Sequence, residues 1–133
     1  MYKYIEPEVA GGLGKETILD NSIHPPRVTK LHYEFDGWLG DDLIESFPCY
    51  IVTEPLKEKI EKRRLSGVAF ENVIITKSDN FNFLYPERQL PKFYWLKVMA
   101  NNLNSDFSIG LDFRLVISEA AFNVLNQFNI KSA

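Results

Sequence analysis

Residues 49–65 read CYIVTEPLKEKIEKRRL, and residues 115–130 read LVISEAAFNVLNQFNI. Each stretch has the pattern of an apolar strand, a hydroxyl residue, a glutamate and then an amphipathic helix. When the two are aligned on Thr53 and Ser118, the apolar positions on the inner faces of the helices coincide. One strand–helix unit used twice predicts the architecture, because each unit must bury the apolar face of its helix against a sheet.

The rest of the sequence supplies further strands around these two units. Strand-like runs occur at 2–5, 28–35, 68–76, 92–100 and 111–117, with polar loops at 77–91 and 101–110. We predict a single α+β domain with a mixed, mostly antiparallel sheet and two main helices at about 53–65 and 118–129. Residues 1–26 are predicted to be a loop-rich N-terminal segment with one helical turn near 16–19, and residues 27–133 to form the core.

Composition and charge restrict the class of protein. A chain of 133 residues with 45% hydrophobic residues is expected to form one domain with a proper core. Its net charge of -3 argues against a nucleic-acid partner, because such proteins usually carry a basic face. The N-terminus has no signal-peptide pattern, and no apolar run approaches the ~20 residues of a membrane span. With Cys49 as the single cysteine, expected to be buried, we predict a cytoplasmic protein without a membrane partner.

Candidate catalytic and metal-binding residues are few. His24 and His32 lack further ligands in register, and His32 is expected on the polar face of a strand. Residues 11–17, GGLGKET, suggest a phosphate loop but lack the spacing that such a loop requires. The hydroxyls of Thr53 and Ser118 have a sufficient structural role as helix N-caps. The sequence therefore predicts no catalytic residue, no metal and no cofactor, and a protein that is not an enzyme.

The segment around Trp38 is acidic and carries an aromatic side chain at a glycine-flanked turn. No lysine or arginine lies between Lys30 and Lys57, whereas six acidic residues do. Complementary charge steers a partner into contact, and a tryptophan can supply the buried anchor of an interface. We therefore expect a basic protein partner, with these contact residues: Glu34, Asp36, Trp38, Asp41, Asp42 and Glu45. The alternative is that Trp38 folds into the core and the acids are only solvated.

Residues 38–56, WLGDDLIESFPCYIVTEPL, resemble immunity proteins of bacterial polymorphic toxin systems. Residues 115–119 and the helix after them are similar to the repeated strand–[Ser/Thr]-Glu–helix unit of one such family. The likeness covers roughly 30–75 and 111–130. It implies a cytoplasmic antitoxin that binds a cognate toxin domain and blocks its active surface without catalytic residues of its own. The activity of the toxin is not implied.

Two other interpretations remain open. An aromatic pocket lined by His32, Tyr85, Tyr94 and Trp95 would indicate a small ligand-binding or enzymatic α+β domain. A self-assembling subunit is the other interpretation. Neither the oligomeric state, the strand order nor the binding face follows from the sequence.

Overall fold

A computed structural model describes residues 2–24, 26–99 and 104–130. Within these ranges the strands are β1 (Tyr2–Ile5), β2 (Gly11–Leu13), β3 (Ile18–Asp20), β4 (Arg27–Lys30), β5 (His32–Phe35), β6 (Leu43–Ser46), β7 (Cys49–Thr53), β8 (Val68–Glu71), β9 (Ile74–Lys77), β10 (Phe93–Val98), β11 (Phe107–Ile109) and β12 (Leu115–Ser118). The helices are α1 (Glu54–Lys62), α2 (Asp79–Leu84) and α3 (Glu119–Leu125). The predicted α+β fold class is confirmed.

The strands form several small sheets. Their strand orders are β6-β7-β10-β8, β1-β12-β11, β2-β5-β9 and β3-β4. Among the described strands, neighbours are antiparallel except β5 and β9, which run parallel. The predicted, mostly antiparallel pairing is therefore confirmed, but the strands are divided among separate sheets and do not form one.

Two buried clusters hold these layers together. The interior strands β7 and β12 lead directly into α1 and α3, and the two helices share one cluster through residues such as Ile60 and Leu125. Full burial of one such side chain contributes about 1.5–3 kcal/mol. The second cluster is built on β5, β7, β10 and α2, and its aromatic members are Tyr33, Phe35, Phe81, Phe93 and Trp95.

Asp42 ties the start of α1 to a distant part of the chain. The Thr53 hydroxyl donates to Oδ1 of Asp42 at 2.6 Å, and the Thr53 N–H donates to the Asp42 carbonyl oxygen at 3.0 Å. Oδ2 of Asp42 accepts the N–H of Asn129 at 2.9 Å, beyond the end of α3. Thr53 precedes α1 without the predicted side-chain cap, and its hydroxyl bonds to Asp42 instead.

Asp106 makes a matching set of bonds at the start of α3. The Ser118 hydroxyl donates to Oδ1 of Asp106 at 2.6 Å and accepts the N–H of Ala121 at 3.1 Å, so the predicted cap of α3 is confirmed. Oδ2 of Asp106 accepts the N–H of Ser66 at 2.8 Å, beyond the end of α1. We call the Asp42 and Asp106 arrangements the aspartate clasps. Each joins the start of one helix to the segment that follows the other helix.

Several local predictions are wrong. The predicted strand 28–35 is broken after Lys30 into β4 and β5, which belong to different sheets. The predicted strand 68–76 is likewise divided between β8 and β9. No helical turn forms at 16–19, since Ile18 begins strand β3.

A third helix lies in the segment 77–91 that the sequence assigns to a loop. The Ser78 hydroxyl accepts the N–H of Phe81 at 3.0 Å and so caps α2. Phe81 is completely buried and anchors the helix to the core. The other two helices end earlier than predicted, at Lys62 and Leu125.

Cys49 is buried, as predicted. Its burial raises the pKa of the thiol to about 12, so the group stays protonated and unreactive. None of the helices in the described ranges combines the length and hydrophobicity needed to cross a membrane.

Candidate protein-binding site

Residues 36–42, which we call the Trp38 loop, connect β5 to β6 and are held in place by Glu8. Glu8 is only 5% exposed. Its Oε2 accepts the N–H of Leu39 at 2.8 Å, and its Oε1 accepts the N–H of Asp41 at 3.4 Å. Burial raises the pKa of Glu8, although these two amide bonds act in the opposite direction. A carboxylate bonded to the amides of both Leu39 and Asp41 gives the loop a fixed shape.

Trp38 supports the loop from inside. Its indole N–H donates to the Asp41 carbonyl oxygen at 2.9 Å. Its ring packs edge-on against Phe93 with 6.0 Å between centroids, and the Arg88 guanidinium lies 4.9 Å from the ring centroid. Trp38 is partly buried by these contacts. The predicted anchor therefore has a structural role, and only part of its surface is available to a partner.

Leu39 forms the exposed tip of the Trp38 loop. It is 76% exposed, and the next residue, Gly40, has a φ of 100° that glycine adopts far more readily than other residues. An open cleft of about 420 Å³ lies beside the tip, with Val9 and Tyr85 among its lining residues. These two side chains are 68% and 47% exposed. The loop thus presents an apolar surface on a rigid turn.

The contact residues predicted from the sequence do not include Leu39 or Glu8. An apolar residue at the tip of a glycine turn is a usable signal for Leu39. Glu8 gives no local signal, because its partners in the loop lie 31 and 33 residues away along the chain.

The acidic residues predicted to contact a partner fall into two groups. Glu34 and Asp36 are exposed, and Glu45 is partly buried in a neighbouring groove. Asp41 is only 1% exposed, and Asp42 belongs to an aspartate clasp. Asp41 and Asp42 therefore occupy structural positions. The partner-binding role of the set stays a prediction.

No family model, curated protein or solved structure matches this chain. The resemblance to immunity proteins therefore stays a prediction that rests on residues 38–56 and 115–119.

Glu45 is expected to cost stability when it is ionised. Burial, reinforced by the nearby Glu6, raises its pKa above the ordinary value of 4.5. The folded state then binds the proton more tightly than the unfolded state, so stability is lost as the pH rises through the folded-state pKa. Glu45→Gln should raise the melting temperature at about pH 7, by a few degrees at most, and leave it unchanged at about pH 3.5.

Thermal unfolding across this pH range measures the effect. Glu34→Gln is the matched control, because Glu34 is exposed and its replacement should give no pH-dependent gain. A gain for Glu45→Gln of equal size at both ends of the range would contradict the electrostatic explanation.

His32 is buried, not on a polar surface as predicted. It is 3% exposed, its Nδ1 accepts the N–H of Glu16 at 3.1 Å, and its Nε2 lies 2.6 Å from the Thr76 hydroxyl. Because Nδ1 accepts a hydrogen bond, the neutral ring carries its proton on Nε2 and donates to Thr76. The histidine joins the segment before β3 to β5 and β9.

The residues proposed for an aromatic pocket are separated in the structure. Tyr94 and Trp95 line a cleft of about 520 Å³ together with Lys57. Tyr85 lines the cleft beside Trp38, and His32 is buried. In the described ranges, no three His, Cys, Asp or Glu side chains are grouped so as to hold a metal ion.

Proposed function

We propose that this chain is an immunity protein that binds a cognate bacterial toxin domain and occludes its active surface. The observation that carries the proposal is the exposed apolar tip of the Trp38 loop, where Leu39 stands on backbone held by Glu8 and lines one cleft with the exposed side chains of Val9 and Tyr85. Apolar side chains grouped on a surface mark sites of protein contact. A rigid surface also binds with a smaller entropic cost than a mobile one.

The charges beside the tip support a basic partner. Glu34 is exposed on β5, and Asp36 is exposed at the start of the Trp38 loop. Negative potential of this kind accelerates encounter with a positively charged surface and repels anionic ligands. An inhibitor that works by occlusion needs no catalytic group, and it would act in the cytoplasm of the producing cell.

We also propose that the two strand–helix units are copies of one unit. Each has an interior strand, a hydroxyl residue and a helix, and each hydroxyl bonds to the clasp aspartate at 2.6 Å. In both units the other carboxylate oxygen accepts an amide four residues beyond the end of the opposite helix, at Asn129 or Ser66. These matching bonds, together with the sequence alignment, support a duplication.

The alternative, a small ligand-binding or enzymatic domain with an aromatic pocket, has less support. Its four residues do not meet at one site, since Tyr85 and Tyr94 line different clefts and His32 is buried. Such a ligand would have to bind in the cleft that Tyr94 and Trp95 help to line.

To test the proposal, the chain is tagged at its native locus and purified under gentle conditions. Mass spectrometry then identifies any protein that copurifies in stoichiometric amount. The isolated C-terminal domain of that protein should stop growth when it is expressed, and co-expression of this chain should restore growth. Leu39→Asp is expected to abolish protection. Met99→Asp, at a side chain that is 64% exposed outside the loop, should retain it. A partner domain that is harmless, or whose toxicity this chain does not change, would refute the proposal.

A further inference from the structure

A second, larger groove continues from the cleft at the Trp38 loop. Its cavity volume is about 800 Å³, and it shares Glu8, Val9 and Leu39 with that cleft. Carboxylates line it from separate segments of the chain: Glu6, Glu8, Glu45 and Asp112. Arg114 is the one cation among the lining residues described. We call this surface the acidic groove.

The single cation leaves most of this negative charge uncompensated. Arg114 donates from Nε to Oδ2 of Asp112 at 2.5 Å, and its guanidinium lies 4.0 Å from the centroid of the Tyr4 ring. A terminal guanidinium nitrogen of Arg114 lies 4.0 Å from Oε1 of Glu6. The Glu6 side chain is 75% exposed, so this ion pair contributes little to stability. The whole chain has 18 acidic and 15 basic residues, so the excess in the groove is local.

Apolar side chains form the rim of the acidic groove. Val9 and Leu39 are 68% and 76% exposed, and Phe47 and Phe113 are 44% and 37% exposed. The rings of Phe47 and Phe113 are 6.5 Å apart and nearly perpendicular, and His24 meets Phe113 edge-on at 5.1 Å. The rim thus combines an aliphatic ridge with an aromatic cluster.

We infer that the acidic groove receives a polypeptide segment in which lysine or arginine side chains stand beside apolar ones. The inference rests on the proposed function, because the toxin domain would supply the segment. Cations placed beside Glu6 and Glu45 would relieve the repulsion between two carboxylates, one of them partly buried. Apolar side chains of the same segment would cover Val9, Leu39 and the aromatic cluster. Several lysine or arginine side chains of one segment can each meet a carboxylate of the groove. A nucleic acid would instead add negative charge and be repelled.

A random dodecapeptide library displayed on phage tests the groove without the toxin. Peptides enriched on the immobilised chain should be rich in lysine or arginine with leucine or phenylalanine. Their affinity should fall by about 10-fold or more for the double variant Glu6→Lys with Asp112→Lys, both at exposed groove carboxylates, and it should weaken with added salt.

The matched control carries the same change in charge at two exposed sites outside the groove, Glu16→Lys with Glu58→Lys, and should bind the peptides within about 2-fold of the unmodified chain. Circular dichroism and melting temperature confirm that both double variants are folded. Absence of enrichment, enrichment without basic residues, or equal affinity for the groove variant would each overturn the inference.

The captured toxin separates this inference from the proposed function. A toxin domain that binds the unmodified chain and the groove variant equally well would overturn the groove and leave the immunity proposal standing. Groove-dependent basic peptides without any toxic partner would support the groove and count against the immunity proposal.

Discussion

Replacement of Gly11 by alanine is expected to destabilise the fold by about 3 kcal/mol or more. Gly11 pairs with Phe35 across β2 and β5, and a Cβ at this position would lie 1.9 Å from the carbonyl oxygen of Glu34. The Gly11 backbone and the Glu34 carbonyl belong to paired strands, so neither can move aside without loss of the pairing. Urea unfolding followed by circular dichroism measures the change in the free energy of unfolding.

Gly12 is the matched control within the same segment. A Cβ at Gly12 would meet no atom within 4 Å. Gly12→Ala should therefore leave the stability unchanged or raise it by up to about 1 kcal/mol, because alanine restricts the unfolded chain. Equal tolerance of both substitutions would mean that β2 does not pair with β5 in this register.

Asp42→Ala is expected to lower the free energy of unfolding by about 2–3 kcal/mol. The substitution removes the acceptors of the Thr53 hydroxyl and of the Asn129 N–H, both of which are bonds to a charged group. Asp36→Ala removes a carboxylate that is exposed in the same loop, and it should change stability by less than about 0.5 kcal/mol. Chemical unfolding of the two variants side by side provides the comparison. Losses of similar size would show that the Asp42 clasp adds nothing to the fold.

The Asp106 clasp should behave like the Asp42 clasp. Burial acts to raise the pKa of Asp106, but hydrogen bonds from Ser118 and Ser66 outweigh it and hold the pKa below its ordinary value. The carboxylate is therefore ionised over the range in which unfolding is usually measured. Its bonds are charge-assisted in the same way as those of Asp42.

Local signals explain what the sequence predicts correctly. Ser118 precedes an apolar helical repeat, and both the N-cap and the periodicity depend on a few neighbouring residues. Cys49 lies in a continuous apolar strand, which is typical of an interior position. The α+β class follows from the order of the elements, because many strands are interrupted by only two separated helices.

Breaks within strands explain the main errors. The alternation from Val28 to Phe35 places His32 on the polar face only if the strand is continuous. The chain leaves one sheet after Lys30 and enters another at His32, so the alternation stops and Leu31, His32 and Tyr33 are buried in succession. No local pattern marks that change of sheet. Helix α2 escapes detection because six residues with one buried position are too short to show a period.

The candidate site shows the same division between local and distant information. Trp38 and the acids near it are evident as a composition feature, but their roles depend on contacts made elsewhere. Asp42 is bonded to Asn129, which lies 87 residues away, and Glu8 reaches across to Leu39. The sequence therefore locates the loop but does not separate its structural carboxylates from those that face solvent.

The aspartate clasps also set an order of events during synthesis. Asp42 finds its second partner only when Asn129 has left the ribosome, and the segment at Ser66 waits for Asp106. In a nascent chain that contains only the first strand–helix unit, neither clasp is complete, because Asn129 and Asp106 have not yet been synthesised. The contacts that join the two strand–helix units through the clasps can therefore form only late in synthesis. A ribosome that stalls before the last helix would therefore release a chain with both clasps open, which quality-control proteases can degrade.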